Sequence, residues 1–135
     1  MDNMTLDLAK KISTYAEHLV AEEYANKPFS VAIVDKYGFT VLYHKLDNAK
    51  LLTINLTPAK AYTAARMGQT TADFLNRLQK ENLNISYFAD NKFVAMPGGV
   101  PIFDKDKNLI GAVGIGGLKE DGEVAAKTAA AFNNL

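Results

Sequence analysis

The sequence predicts an α+β domain in which two β-hairpins form an antiparallel sheet and helices pack against it. Two observations carry this expectation. Apolar runs with strand character come in close pairs, 29–34 with 39–46 and 100–103 with 109–115, and a short polar turn separates the members of each pair. Helical periodicity fills the segments before, between and after the pairs. Strands joined by tight turns pair antiparallel, whereas strand–helix–strand crossovers would build a parallel sheet. At 135 residues the chain is expected to form one domain, 1–135, long enough to bury a core.

Residues 5–26 read as the first helix. At ~100° per residue, Leu8, Ala9, Ile12, Tyr15, Ala16 and Leu19 share one face, while Asp7, Lys11, Thr14, His18 and Glu22 share the other. Thr5 is placed to cap the start, with Asp7 in the first turn where the helix dipole favours negative charge. Pro28 stops the helix. The first hairpin follows, turning through Asp35-Lys36-Tyr37-Gly38, where Asp bonds the local backbone and Gly accepts a positive φ. The next helix contains Pro58. Proline is favoured at the first helical position, so Thr57 is expected as N-cap, with 52–56 a separate turn or a kinked extension. An alanine-rich stretch then runs from Ala59 to Met67 and ends at Gly68. Thr70 or Thr71 caps a short helix to Lys80, residues 81–92 are polar and irregular, and the second hairpin turns through 104–108. Gly116-Gly117 ends the sheet, and 121–132 form the last helix.

Fifteen basic residues balance fifteen acidic ones and are scattered, with Lys10-Lys11 the only adjacent pair. No strong field for nucleic acid or an anionic membrane is expected. Cysteine is absent, which removes thiolate nucleophiles, disulfides, iron–sulfur clusters and Cys-ligated zinc. The first residues lead into an amphipathic helix rather than a signal-type apolar segment, and no stretch approaches the ~20 apolar residues of a membrane span. A cytoplasmic protein is the expectation.

Few residues nominate chemistry. Pro97-Gly98-Gly99-Val100-Pro101 either turns successive backbone N–H groups toward an anion or simply makes a tight strand entry. The glycines from Gly111 to Gly117 do not form a dinucleotide loop, since they lie within a strand rather than in a turn opening a crossover helix. Glycine in a strand marks close approach of backbone or ring. The only histidines are His18 and His44. Neither has the neighbours of a catalytic triad or of a zinc site, yet a single imidazole suffices as an axial haem ligand. His18 shares a polar helix face, and His44 is expected half-buried in the second strand. Glu120, Asp121 and Glu123 suit a helix N-terminus without any chemistry.

Four stretches in order resemble the GlcG/HbpS family, also described as the haem-degrading domain family and found fused in some corrinoid adenosyltransferases. They are Val31-Ala-Ile-Val-Asp35-Lys-Tyr-Gly38, Lys60-Ala61-Tyr62-Thr63-Ala64, Gly98-Gly99-Val-Pro101-Ile102 with Ile110-Gly111-Ala-Val-Gly114-Ile-Gly116-Gly117, and Asp121-Gly-Glu123-Val-Ala125. The chain departs from the family where His44-Lys45-Leu46-Asp47 keeps only the aspartate of an Arg-Met-Asp run, and where Gly116 stands in place of a serine common in relatives. The resemblance implies a profilin-like fold with helices on both faces of the sheet, a homo-oligomer, and binding of a small ligand, haem or another tetrapyrrole, without a protein-only catalytic site. A haem-dependent oxidative or degrading enzyme, and a ligand-free accessory or assembly subunit of a metabolic enzyme system, are the alternatives. Lys60, Gly98, Gly99 and Asp121 carry over as candidate cofactor-binding positions. His18 is the candidate haem-iron ligand, with His44 as the alternative. Lys10 or Lys11 is placed to meet a propionate, and no protein-ligated zinc or iron–sulfur cluster is expected.

Overall fold

The computed structural model describes residues 2–133, so the expected domain limits 1 and 135 lie just outside the described residues. Its elements are α1 (Leu6–Glu23), β1 (Ser30–Asp35), β2 (Thr40–Lys45), α2 (Thr53–Met67), α3 (Thr71–Lys80), a 3₁₀ turn (Ile85–Phe88), β3 (Gly99–Phe103), β4 (Leu109–Gly116) and α4 (Asp121–Phe132). The sheet order is β2-β1-β4-β3, antiparallel throughout. Helices cover both faces, which is the profilin-like α+β arrangement expected from the sequence.

The two faces are built differently. On one, α1 and α4 bury Ile12, Leu19 and Val124 against Val31, Ile33, Val113 and Ile115. This is bulky aliphatic packing, and it supplies most of the apolar area removed from water. On the other, α2 meets Ala32, Val34 and Ala112 through its own Ala61, Ala64 and Ala65. Three glycines complete that second face. A Cβ on Gly114 would stand 2.5 Å from the Thr57 carbonyl oxygen, one on Gly116 would run into the Thr57 hydroxyl, and one on Gly99 would run into the Lys60 carbonyl. At Gly99 and Gly114 the backbone of α2 therefore rests on the backbone of the sheet, and elsewhere only small side chains separate them.

This contact explains where α2 begins. The expected Thr57 cap is not found: the helix runs unbroken from Thr53 and Pro58 lies inside it. Proline removes one helical hydrogen bond. Contacts to the sheet and to the preceding turn hold the start of the helix in place all the same. Thr57 is fully buried and accepts a hydrogen bond from Ser30 Oγ at 2.7 Å, and the Thr53 hydroxyl donates to the Lys50 carbonyl at 2.6 Å. The other end is as read from the sequence, with Gly68 at φ 65° and its N–H on the Ala64 carbonyl. Helix α1 stops earlier than expected, because Ala25 and Asn26 take positive φ and Asn26 N–H turns back to the Val20 carbonyl.

Gly98 and Gly99 are irreplaceable for different reasons. Gly98 has φ 128°, a region that side chains other than glycine's rarely adopt, whereas Gly99 lacks positive φ and is held by proximity to Lys60 and Thr71. Both Gly98→Val and Gly99→Val should lower unfolding free energy in urea by about 1–3 kcal/mol, through strain and overpacking respectively. Variants that unfold at the parental midpoint would show that α2 and the strand entry tolerate a side chain there.

Candidate functional site

Lys60 sits on the sheet-facing side of α2 and is only 1% exposed, an unusual position for an ammonium group. Its Nζ donates to the Ile115 carbonyl at 3.0 Å and to Asp121 Oδ2 at 2.9 Å. Asp121, whose side chain is 14% exposed, accepts the Leu118 N–H with its other oxygen at 2.8 Å. Gly98 lies directly over this pair, since a Cβ there would stand 3.0 Å from Lys60 Nζ. Gly99 N–H donates to the Thr71 hydroxyl at 2.9 Å. The structure thus brings together Lys60, Gly98, Gly99 and Asp121, the four positions carried over by resemblance. They form a closed corner where α2, the end of β4 and the start of α4 meet. Lys60 and Asp121 serve each other and the backbone, and the Gly99 N–H serves Thr71.

Neither histidine belongs to that corner. His18 is exposed on the outward face of α1, with exposed Thr14 and Lys11 one and two turns before it. Among the described residues its ring makes no hydrogen bond or ion pair. His44 was expected to be half-buried but is exposed, on the edge strand β2. Its Nδ1 lies 2.9 Å from Glu17 Oε2 and 3.1 Å from Ser13 Oγ, and Ser13 Oγ in turn donates to the same Glu17 oxygen. The carboxylate makes Nδ1 the protonated nitrogen and leaves Nε2 without a described partner.

A third feature was not read from the sequence. An open cleft of about 810 Å³ lies on the outer side of α2, between the β1–β2 turn and residues 91–94, and Phe39, Leu56, Tyr62, Arg66 and Lys92 are among its lining. The legible signal was Tyr62 and Arg66 four residues apart on α2, away from its alanine stripe. None of the sequence-nominated residues lines this cleft. Among the described residues no group of three His, Asp or Glu side chains could hold a metal ion.

The Lys60–Asp121 pair has a measurable signature. Removing one partner leaves the other charge in a poorly hydrated corner, so Lys60→Met should cost about 3 kcal/mol of stability, with little salt dependence. Asp121→Asn keeps an oxygen for Leu118 but loses the charge. The double variant should cost less than the sum of the single losses, by ~1–3 kcal/mol. Strictly additive losses in urea unfolding would mean that the two residues are not coupled.

Comparison with known proteins agrees with this architecture. A family model described as "Haem degrading protein HbpS-like" matches residues 4–131. The chain is 31% identical over 129 residues to an uncharacterized 15.0 kDa protein from the dhaT-dhaS intergenic region of Citrobacter freundii, covering 93% of this chain and 89% of that one. It is 30% identical over 110 residues to the corrinoid adenosyltransferase PduO of Salmonella typhimurium, covering 78% of this chain but spanning only 32% of PduO. Among solved structures, the PduOC:haem complex superposes with a TM-score of 0.83 at 25% identity, covering 97% of this chain and 96% of that one. With the family model matched over 4–131, nearly the whole chain, the chain belongs to the HbpS-like family.

Proposed function

We propose that this protein binds haem or a related tetrapyrrole, with His18 as the ligand to iron, and that two copies of the chain enclose the ring. The observation that carries this reading is the likeness, over nearly the whole chain, to a structure solved with haem. The residues present suit the group. An axial ligand must be an accessible imidazole nitrogen, and His18 exposes its ring with no bond to break among the described residues. Lys11 on the same face offers a cation for a propionate. His44 is the competing ligand: its Nδ1 is engaged by Glu17, an orientation typical of metal-bound imidazole. Bound haem would supply redox-active iron; the protein's own part is to place the imidazole, hold the carboxylates and cover the ring faces. A convex helix face covers little by itself, which is why assembly belongs to the proposal. In this reading Lys60, Gly98, Gly99 and Asp121 act on the ligand indirectly, by fixing the sheet on which α1 is carried.

Titration with ferric haem, followed at the Soret band together with light scattering, tests the proposal. Saturable binding at micromolar haem to a dimer or larger assembly is expected. His18→Ala should lose the low-spin imidazole-type spectrum while melting like the parent, and His44→Ala should keep it. Loss in His44→Ala alone would transfer the iron to His44. No saturable Soret change in the parent would overturn tetrapyrrole binding itself.

A further inference from the structure

The cleft on the outer side of α2 lies across the sheet from α1, and the haem reading does not use it. Its construction is specific. The stripe Asn55, Ala59, Tyr62 and Arg66 forms the floor, because these residues follow one another at helical spacing on the side of α2 turned away from the sheet. The Tyr62 ring is fixed from several directions. Gly38 closes on it so tightly that a Cβ there would stand 2.8 Å from the ring, the hydroxyl donates to Asp90, and Phe93 meets it edge-on with centroids 6.0 Å apart.

Two cations flank this ring. Arg66 Cζ lies 4.8 Å and Lys92 Nζ 5.6 Å from its centroid. Arg66 is held by its Nε, which donates to the Tyr37 carbonyl at 2.6 Å. Among the described residues its two terminal amino groups have no partner, so a guanidinium already in position keeps the donors that recognise a carboxylate or sulfonate. Among the described residues no carboxylate lines the cleft. Asp90, behind the Tyr62 ring's hydroxyl, is engaged by that hydroxyl and by Lys92 N–H, and the Tyr62 bond holds its carboxyl below the usual range. Phe39 and Leu52 add apolar surface to the same lining and are 65% and 58% exposed. The volume lies within the ~300–1,000 Å³ of small-molecule sites.

We propose that this cleft is a second binding site, separate from that of the tetrapyrrole, for a small organic anion with a flat apolar body. Its acidic group would lie between Arg66 and Lys92, and its body would lie along Tyr62 toward Phe39 and Leu52. Two cations are too few for a polyanion, whose affinity comes from many such contacts. A cationic ligand would meet repulsion at the floor.

The probe is 8-anilinonaphthalene-1-sulfonate, with N-phenyl-1-naphthylamine as the same body without the charge. Fluorescence titration of the full chain should show saturable, blue-shifted emission for the sulfonate and at least tenfold weaker binding of the neutral dye. Lys92→Gln, a surface change, and Arg66→Gln should each weaken the sulfonate several-fold, and together at least tenfold, with melting preserved. His18→Ala should bind it as the parent does, and the Arg66/Lys92 variants should keep their haem Soret change. That separates this site from the haem proposal. Absence of saturable emission, equal affinity in the double variant, or displacement of the dye by stoichiometric haem would overturn it.

Discussion

Helix α2 lies backbone to backbone on the sheet, and most of the molecule's other features depend on that contact. Gly99, Gly114 and Gly116 supply no side chain on this face, and the alanines of α2 supply little more. Glycine in a strand carries an entropic cost and packs nothing. The opposite face offsets that loss with its isoleucines, valines and leucines from α1, α4 and the strands. One side of the sheet therefore provides burial, and the other provides closeness.

Closeness has chemical consequences. With no gap between α2 and the sheet, a long side chain pointing inward has nowhere to go but along the interface, and Lys60 takes that route to the end of β4. A buried ammonium needs a partner, which Asp121 supplies from the first turn of α4. The pair thus ties a helix on one face to a helix on the other around the rim of the sheet. The two proposed binding surfaces lie outward, on the exposed face of α1 and in the cleft formed where α2 turns its tyrosine and arginine away from the sheet.

Much of this was legible because it is local. Turn residues marked both hairpins, the pair Thr70-Thr71 announced α3, with Thr70 the cap, and Gly68 announced the end of α2, since caps and turns depend on residues a few positions apart. What escaped depends on distant partners. Pro58 suggested a helix start, and only the Ser30 hydroxyl, 27 residues upstream of Thr57, shows why the helix continues through it. His44 read as a half-buried strand residue because nothing in its neighbourhood identifies β2 as the sheet edge or Glu17 as its partner. Gly98 and Gly99 look alike in sequence, yet one is required by its φ and the other by the carbonyl of Lys60. The cleft draws on the β1–β2 turn, α2 and residues 91–94, and no single window of sequence contains it.

The central claim is that a tetrapyrrole meets the outer face of α1 while the α2–sheet contact stays closed beneath it. Amide hydrogen exchange, compared between ligand-free and haem-loaded protein, addresses both halves at once, because slowed exchange reports where local opening is suppressed. The account predicts new protection across residues 11–22 and unchanged exchange at 58–66 and 98–101. Protection gained at Lys60, Gly98 and Gly99, with α1 unaltered, would contradict it.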